Sequence, residues 1–141
     1  MSEVQAKVLI VEDTIDLAEI IIAVVERISM KPLHATHGAK AIATIQEENP
    51  DLVLLDLGLP DMRGWRILDA VKDENGQFST PVVVITAHGD AANRLMGKLR
   101  NVAAYMIKPC TPEEVEEIIS EVLLEHGIIE AKTSDTPGAT K

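Results

Sequence analysis

The chain has 141 residues, a length that fits one compact domain and leaves little room for a second one. Apolar residues make up 46% of the chain, which is enough to bury a core and excludes disorder as a description of the whole chain. The formal net charge of -10 disfavours binding to the phosphates of nucleic acids.

The sequence has no pattern typical of secretion or membrane insertion. Cys110 is the single cysteine, so an internal disulfide cannot form. The longest apolar run near the N-terminus covers residues 20–25, far fewer than the roughly 20 residues that span a bilayer, and no signal-peptide pattern precedes it. We therefore expect a protein of the reducing cytoplasm that does not enter a membrane.

Short apolar runs alternate with segments that have helical spacing of apolar residues. In chain order these segments predict a strand at residues 7–11, a helix at 15–28, a strand at 33–36, a helix at 39–48, a strand at 52–55, a helix at 65–72, a strand at 82–85, a helix at 90–99 and a strand at 102–107. The last helix has the strongest start signals, because Thr111 is a candidate N-cap, Pro112 suits the first helical position and Glu114 completes a capping box.

This alternation predicts an α/β fold with a doubly wound, five-stranded parallel sheet and five helices. Each parallel crossover needs a connecting element, and helices on both faces of the sheet are the usual one. The continuous apolar runs agree with strands that are buried on both faces. Residues 1–127 form the predicted domain, and residues 128–141 are expected to be a flexible tail or a truncated linker because they are rich in turn-forming residues.

Polar side chains follow four of the predicted strands. Glu12 and Asp13 follow the first strand, Asp56 the third, Thr86 the fourth and Lys108 the fifth. The ligand crevice of a doubly wound sheet lies beyond the carboxyl ends of its strands, so these side chains are expected to converge there. Three carboxylates would repel one another without a cation, and Mg²⁺ suits oxygen ligands of this kind.

Thr86 and Lys108 would complete a site for a phosphoryl group. The ammonium group would neutralise phosphoryl oxygens, while the hydroxyl group would donate a hydrogen bond to one of them. A carboxylate can itself act as the nucleophile and form an aspartyl phosphate. Asp56 is the predicted acceptor because it follows the central apolar strand, whereas Glu12 and Asp13 are better placed as metal ligands.

Four sequence segments resemble the receiver domain of two-component response regulators. They are VLIVED ending at Glu12 and Asp13, LLDLGLPDMRG around Asp56, VITA around Thr86 and YMIKP around Lys108. The similarity covers about residues 5–126, with all four segments in the order and spacing of the family. It implies a flavodoxin-like fold with strand order 2-1-3-4-5, an order for which the chemotaxis receiver is a known example.

The resemblance also implies residue roles. Asp56 would accept a phosphoryl group from a sensor histidine kinase or a histidine phosphotransfer protein. Asp13, Asp56 and the carbonyl group of Gly58 would hold Mg²⁺, and Glu12 would act mainly through a bound water. Lys108 would pair first with the carboxylates and then with the phosphoryl group. The peptide bond to Pro109 would be cis.

A switch is implied by the same resemblance. Thr86 would move toward the phosphoryl oxygens and allow Tyr105 to turn inward, which changes the surface formed by the fourth helix, the fifth strand and the fifth helix. That surface would control a downstream protein or form a homodimer. Gly58 and His88 lie where receiver domains vary in the lifetime of the phosphoryl group. Catalysis would be limited to the protein's own phosphorylation and dephosphorylation, so the chain would not be a classical enzyme.

Two other functions remain as alternatives. A receiver-like docking scaffold would bind partners without phosphorylation. An aspartyl-phosphate phosphatase of the haloacid dehalogenase type would place its nucleophile at the end of the first strand and a second Asp two residues later, yet Ile15 is the residue two positions after Asp13. A flavodoxin-like electron carrier is excluded by charge, because Glu12 and Asp13 occupy the loop that would bind the flavin phosphate.

Other residues are expected to have structural roles. Asp61 and Asp90 are predicted turn or cap residues, and Cys110 is a predicted apolar filler. Trp65, the only tryptophan, is predicted to open the third helix.

Overall fold

The computed structural model describes residues 5–129. Its elements are, in chain order, β1 (Lys7–Val11), α1 (Ile15–Arg27), β2 (Lys31–Ala35), α2 (Gly38–Glu48), β3 (Leu52–Leu55), α3 (Gly64–Val71), β4 (Val82–Thr86), α4 (Ala91–Leu99), β5 (Ala104–Ile107) and α5 (Pro112–Glu125). The strands form one sheet in the order β2-β1-β3-β4-β5, and every neighbouring pair is parallel. The predicted doubly wound α/β fold and its strand order are confirmed.

Two hydrophobic clusters cover the two faces of the sheet. One cluster packs β1, β3 and β4 against α1 and α5, with Ile10, Val25 and Ile119 among its buried members. The other packs the opposite side chains of the same strands against α2 and α3, with Leu55 and Ile67 at its centre. Because successive side chains of a strand point to opposite faces, an uninterrupted apolar strand can fill both clusters.

Two strands begin at residues that differ from the sequence prediction. Strand β2 starts two residues earlier than predicted, because Lys31 pairs with Lys7 of β1 and Pro32 is tolerated in an edge strand. Strand β5 starts at Ala104 rather than at residue 102, because the Val102 N–H donates to the carbonyl of Gly97 and so closes the end of α4. The first difference arises from strand pairing and the second from a hydrogen bond at the end of a helix, and local periodicity encodes neither.

The helix ends follow the predicted chemistry. Thr111 and Glu114 form the capping box of α5, with each side chain accepting from the backbone N–H of the other residue. Asp90 is the N-cap of α4, where its carboxylate accepts from the Asn93 N–H. Helix α2 ends at Asn49, which adopts the left-handed conformation with φ of 49°.

Asp61 caps a helix that is remote in sequence. Its two carboxylate oxygens accept from the N–H groups of Gly38 and Ala39 at 2.8 and 3.0 Å, at the start of α2. These backbone hydrogen bonds hold the pKa of Asp61 below its ordinary value. The predicted cap role is therefore correct, and the two hydrogen bonds also connect the loop after β3 to α2.

Gly64 allows α3 to begin close to the end of β3. A Cβ atom at this position would lie 2.7 Å from the carbonyl oxygen of Asp56 and 3.0 Å from the Cα of Leu57. The Gly64 N–H donates to the Leu57 carbonyl, which fixes this close approach. The first turn of α3 thus sets the backbone position of the residue that follows β3.

The described chain ends just after α5. The Ile128 N–H donates to the Leu123 carbonyl at 2.9 Å, and both Ile128 and Ile129 are half-buried against the α1 and α5 cluster. Residues 130–141 of the predicted tail lie outside the described residues. Within residues 5–129, none of the helices has the combination of length and hydropathy needed to cross a membrane.

We expect Gly64→Ala to lower the free energy of unfolding by about 1–3 kcal/mol, because its Cβ meets backbone atoms that cannot rotate away. Urea unfolding measures this change. Gly58→Ala is the matched control, because the nearest atom to its Cβ is the Nε2 atom at the tip of the His88 side chain, 3.1 Å away. Equal losses in the two variants would contradict the backbone clash.

Candidate functional site

The candidate site lies at the carboxyl edge of the sheet, where four adjacent strands end. The registers Val11 with Leu55 and Thr86 with Ile107 align the ends of β1 with β3 and of β4 with β5. The residues that follow these strand ends therefore lie along one edge. This is the convergence that the sequence predicts.

Three carboxylates gather at this edge. Glu12, Asp13 and Asp56 each offer an oxygen, and these oxygens lie within 4.8 Å of one another. Glu12 and Asp56 are buried, while Asp13 is exposed to solvent. An all-oxygen donor set with one solvent-facing member fits a Mg²⁺ ion, which prefers carboxylates and keeps several waters.

Lys108 bridges the two buried carboxylates. Its Nζ atom donates to Glu12 Oε1 at 2.8 Å and to Asp56 Oδ2 at 2.9 Å. Partial burial on its own would lower the pKa of Lys108, but these hydrogen bonds outweigh burial and raise the pKa above its ordinary value. The bridge keeps the ammonium group charged. The Lys108 to Pro109 peptide bond is cis, as the resemblance implied.

Asp56 is held in its ionised form. Burial would raise the pKa of this carboxyl group, yet the Lys108 hydrogen bond, the backbone N–H of Gly58 and the Thr86 hydroxyl hold the pKa below 3.8. The Gly58 N–H donates to Asp56 Oδ1 at 3.1 Å, so the two carboxylate oxygens have separate partners. An ionised, buried carboxylate between donors has the charge state that a nucleophile requires.

The loop after β4 lies on the other side of Asp56. Thr86 is fully buried, and its Oγ1 atom accepts from the His88 N–H at 3.3 Å. The His88 ring approaches the position where a Cβ would stand on Gly58, with Nε2 3.1 Å away. His88 therefore lies against Gly58, next to the carboxylate.

Tyr105 is attached to the same loop. Its hydroxyl group donates to the His88 carbonyl, and burial is the main cause of a raised pKa of its phenol. Arg94 of α4 lies over the Tyr105 ring, with its guanidinium carbon 5.4 Å from the ring centroid. The Arg94 Nε also donates to the Gly89 carbonyl at 3.0 Å. Tyr105 thus connects the loop after β4 with helix α4.

All the predicted site residues lie in or beside this edge, and sequence reasoning missed several neighbours. Arg94 and the His34 ring, which is 2.9 Å from the Glu12 carbonyl oxygen, have no local signal in the sequence. Cys110 is half-buried and donates to the Ile107 carbonyl, and burial raises the pKa of its thiol. This agrees with its predicted role as an inert filler.

Comparison with known proteins points to one family. The family model for the response regulator receiver domain matches residues 8–120. A CheY-like response regulator receiver domain from Methanospirillum hungatei JF-1 has a similar structure, with a TM-score of 0.80 and 26% identity over 89% of this chain and 98% of that chain. Chemotaxis response regulator CheY4 of Vibrio cholerae gives a TM-score of 0.77 and 25% identity over 85% of this chain and 100% of that chain.

Longer relatives match over one part of their length. The phosphate regulon transcriptional regulatory protein PhoB of Escherichia coli is 32% identical over 117 residues, which cover 83% of this chain and 51% of that protein. The chain spans about half the length of the curated relatives that it matches. The similarity therefore concerns the receiver part of these regulators.

We expect Lys108→Ala to destabilise the fold by about 3 kcal/mol at pH 7, because two buried carboxylates lose their cation. The lowered pKa of Asp56 stabilises the fold above pH 3.8, and this contribution is lost as the pH falls through the folded pKa. The loss caused by Lys108→Ala should therefore shrink below about pH 4. Thermal unfolding of the variant and of the unsubstituted chain, from pH 7 to pH 3, measures the destabilisation at each pH.

Lys7→Ala is the matched control, because it breaks the more exposed pair between Lys7 and Glu48. Its cost should stay below about 1 kcal/mol. A Lys108→Ala loss that is the same at pH 7 and pH 3 would contradict the charge argument.

Proposed function

The chain belongs to the response regulator receiver domain family of two-component systems, and we propose that it is a phosphorylation-dependent switch with Asp56 as the phosphoryl acceptor. One observation carries this proposal. Asp56 is buried and ionised between the Lys108 ammonium and the Gly58 N–H, beside the carboxylates of Glu12 and Asp13. The phosphoryl donor would be a sensor histidine kinase or a histidine phosphotransfer protein.

The chemistry is a transfer of one phosphoryl group. An oxygen of Asp56 attacks phosphorus, the new O–P bond forms, and the P–N bond of the donor's phosphohistidine breaks, with the electron pair returning to the imidazole nitrogen. Lys108 is already within hydrogen-bond distance of Asp56 and can move its charge to the incoming oxygens. The Thr86 hydroxyl can donate to another oxygen. These are stoichiometric self-reactions of a signalling domain.

A Mg²⁺ ion, when bound, would neutralise charge on the carboxylates and on the phosphoryl oxygens. Asp13, Asp56 and the Gly58 carbonyl would hold it, and Glu12 would act through a bound water. The grouping of three carboxylate oxygens within 4.8 Å supports this ligand set. The exposure of Asp13 leaves one side open for the waters that Mg²⁺ retains.

The output would pass through Thr86 and Tyr105. Thr86 binds the His88 N–H while Tyr105 binds the His88 carbonyl, so one residue of the loop after β4 links both side chains. Movement of Thr86 toward a phosphoryl oxygen would displace this loop and with it Tyr105. The surface of α4, β5 and α5 would then change and bind a downstream protein or a second copy of the chain. The proposed location is the cytoplasm.

The lifetime of the phosphoryl group would depend on Gly58 and His88. Gly58 places no side chain beside the acceptor, and the Nε2 atom of the His88 ring lies 3.1 Å from where a Cβ of residue 58 would stand. We propose that the ring hinders the approach of the attacking water.

The two alternatives differ from this proposal in where phosphate attaches. A phosphatase of the haloacid dehalogenase type would carry the covalent phosphate on Asp13, whereas a docking scaffold would carry none. The contacts of Asp56 with Lys108 and Gly58 favour the receiver function over the docking scaffold, because a scaffold has no need for a buried ionised carboxylate.

Incubation with Mg²⁺ and acetyl phosphate should add one phosphoryl group, because Asp56 is ionised and lies beside the carboxylates that would hold Mg²⁺. Intact mass measures the adduct, and borohydride reduction followed by peptide mapping locates it. Asp56→Asn and omission of Mg²⁺ should each abolish the adduct.

Asp51→Asn is the matched control, because Asp51 lies before β3 and accepts from the Lys7 N–H at the opposite edge of the sheet. This variant should still form the adduct. Phosphate mapped to Asp13 would establish the phosphatase alternative. Absence of the adduct, together with no amide response to beryllofluoride and Mg²⁺, would favour the docking scaffold.

His88→Ala should shorten the lifetime of the adduct by roughly threefold, which corresponds to a small fall in the hydrolysis barrier. First-order decay after removal of the donor measures the lifetime. His126→Ala is the matched control, since His126 caps α5 by a hydrogen bond with the Val122 carbonyl. A longer lifetime for His88→Ala would mean that the ring positions the attacking water instead of hindering it.

A further inference from the structure

Helix α4 has the fewest buried side chains of the five described helices. It contributes one buried residue, Gly97, whereas each of the other helices contributes four. Leu95 and Leu99 on its outer side are 56% and 68% exposed. Since little apolar burial fixes α4, specific contacts at its two ends must determine its position.

The N-terminal end of α4 is joined to α3 by a hydrogen bond. Trp65 of α3 is 4% exposed, and its indole N–H donates to Asn93 Oδ1 at 2.9 Å. The Asn93 side-chain amide donates in turn to Asp90 Oδ1 at 2.8 Å. Both ends of the Asn93 amide therefore have partners, and its orientation is fixed.

The C-terminal end of α4 is joined to the same region of α3. Arg100, which follows α4, donates from Nε and an Nη atom to the two carboxylate oxygens of Asp69 at 3.2 and 3.0 Å. Its guanidinium carbon also lies 5.5 Å from the Trp65 ring centroid. A paired and stacked guanidinium group restricts motion more than an exposed ion pair alone.

Gly97 brings the switch residue next to this junction. A Cβ atom at Gly97 would lie 3.2 Å from Cδ2 of Tyr105 and 3.5 Å from Cη2 of Trp65. The two rings therefore meet the same point of α4. Glycine within a helix costs roughly 1 kcal/mol relative to alanine, and here it makes room for both rings.

We propose that Trp65, Asp69, Asn93 and Arg100 form a latch that couples the proposed phosphorylation switch to helix α3. The latch has two arms, Trp65 with Asn93 and Asp69 with Arg100. Displacement of Tyr105 moves α4 at Gly97, and the arms pass this motion to the Trp65 and Asp69 side chains of α3. The inference rests on the proposed function of Asp56 and Tyr105, and it extends the responding surface beyond α4, β5 and α5.

A shift of α4 relative to α3 is opposed by a small number of contacts. Helix α3 itself is anchored by Ile67 and Leu68, which are buried in the core. A shift of α4 therefore changes the partners of Trp65 before it disturbs the sheet. Because both arms are polar, they can break and form again without exposing large apolar areas.

The test uses the full chain with beryllofluoride and Mg²⁺ as the probe of the Asp56 site. Amide chemical shifts of Thr86 and His88 report filling of the site, while amide shifts of α3 and the emission of Trp65, the only tryptophan, report the latch. In the unsubstituted chain, the amides of Thr86 and His88 should respond, and so should the α3 amides and the Trp65 emission. In the double variant Asn93→Ala with Arg100→Ala, Thr86 and His88 should still respond, and the α3 response should fall roughly fivefold.

The matched control is Arg27→Ala with Asn75→Ala. Arg27 pairs with Glu116 between α1 and α5, and Asn75 is exposed in the loop after α3. This control should respond like the unsubstituted chain, and circular dichroism checks that both double variants fold.

An α3 response that is unchanged in the latch variant, or absent from the unsubstituted chain while its site fills, overturns the latch alone. An unsubstituted chain in which Thr86 and His88 do not respond overturns the proposed function and the latch together.

Discussion

The ion pair of Lys108 with two buried carboxylates is the constraint on which the site depends. Glu12 follows β1 and Asp56 follows β3, whereas Lys108 follows β5, so its side chain must reach across the end of β4. The residue at the end of β4 is Thr86, whose short side chain leaves that path open. The strand order is therefore part of the electrostatics, because it brings the Lys108 ammonium group within hydrogen-bond distance of both acids.

A buried ion pair of this kind is a weak source of stability and a strong source of specificity. Removing charges from water costs several kcal/mol for each ion, and the attraction within the pair roughly balances that cost. What the arrangement provides is a carboxylate whose charge state is defined and whose partner can be exchanged. A phosphoryl group on Asp56 would take over the contact with Lys108 and the nearby donors. In the proposed switch, the energy of these new contacts would move the loop after β4.

The α/β class and the strand-end residues could be predicted from periodicity and topology, whereas the strand order was implied by the resemblance to receiver domains. Parallel strands deliver their carboxyl ends to one edge, so Asp56 and Lys108 meet without any knowledge of side-chain packing. The contacts of α4 could not be predicted in this way. The partners of Asn93 and Arg94 depend on how the helix rotates over the sheet, and the late start of β5 depends on the Val102 hydrogen bond to Gly97 that closes α4.

The five described helices are held in place by different interactions. This difference bears on how a change of charge at the site could become a conformational change. Helices α1, α2, α3 and α5 are fixed by apolar burial, which a change of charge at the sheet edge does not alter. Helix α4 is held by the Asn93 amide, by the ion pair of Arg100 with Asp69 and by the packing of Gly97 beside the Tyr105 ring. Polar contacts are strongly directional, so a small displacement of the His88 loop weakens them steeply. The proposed switch would therefore move the least buried helix first.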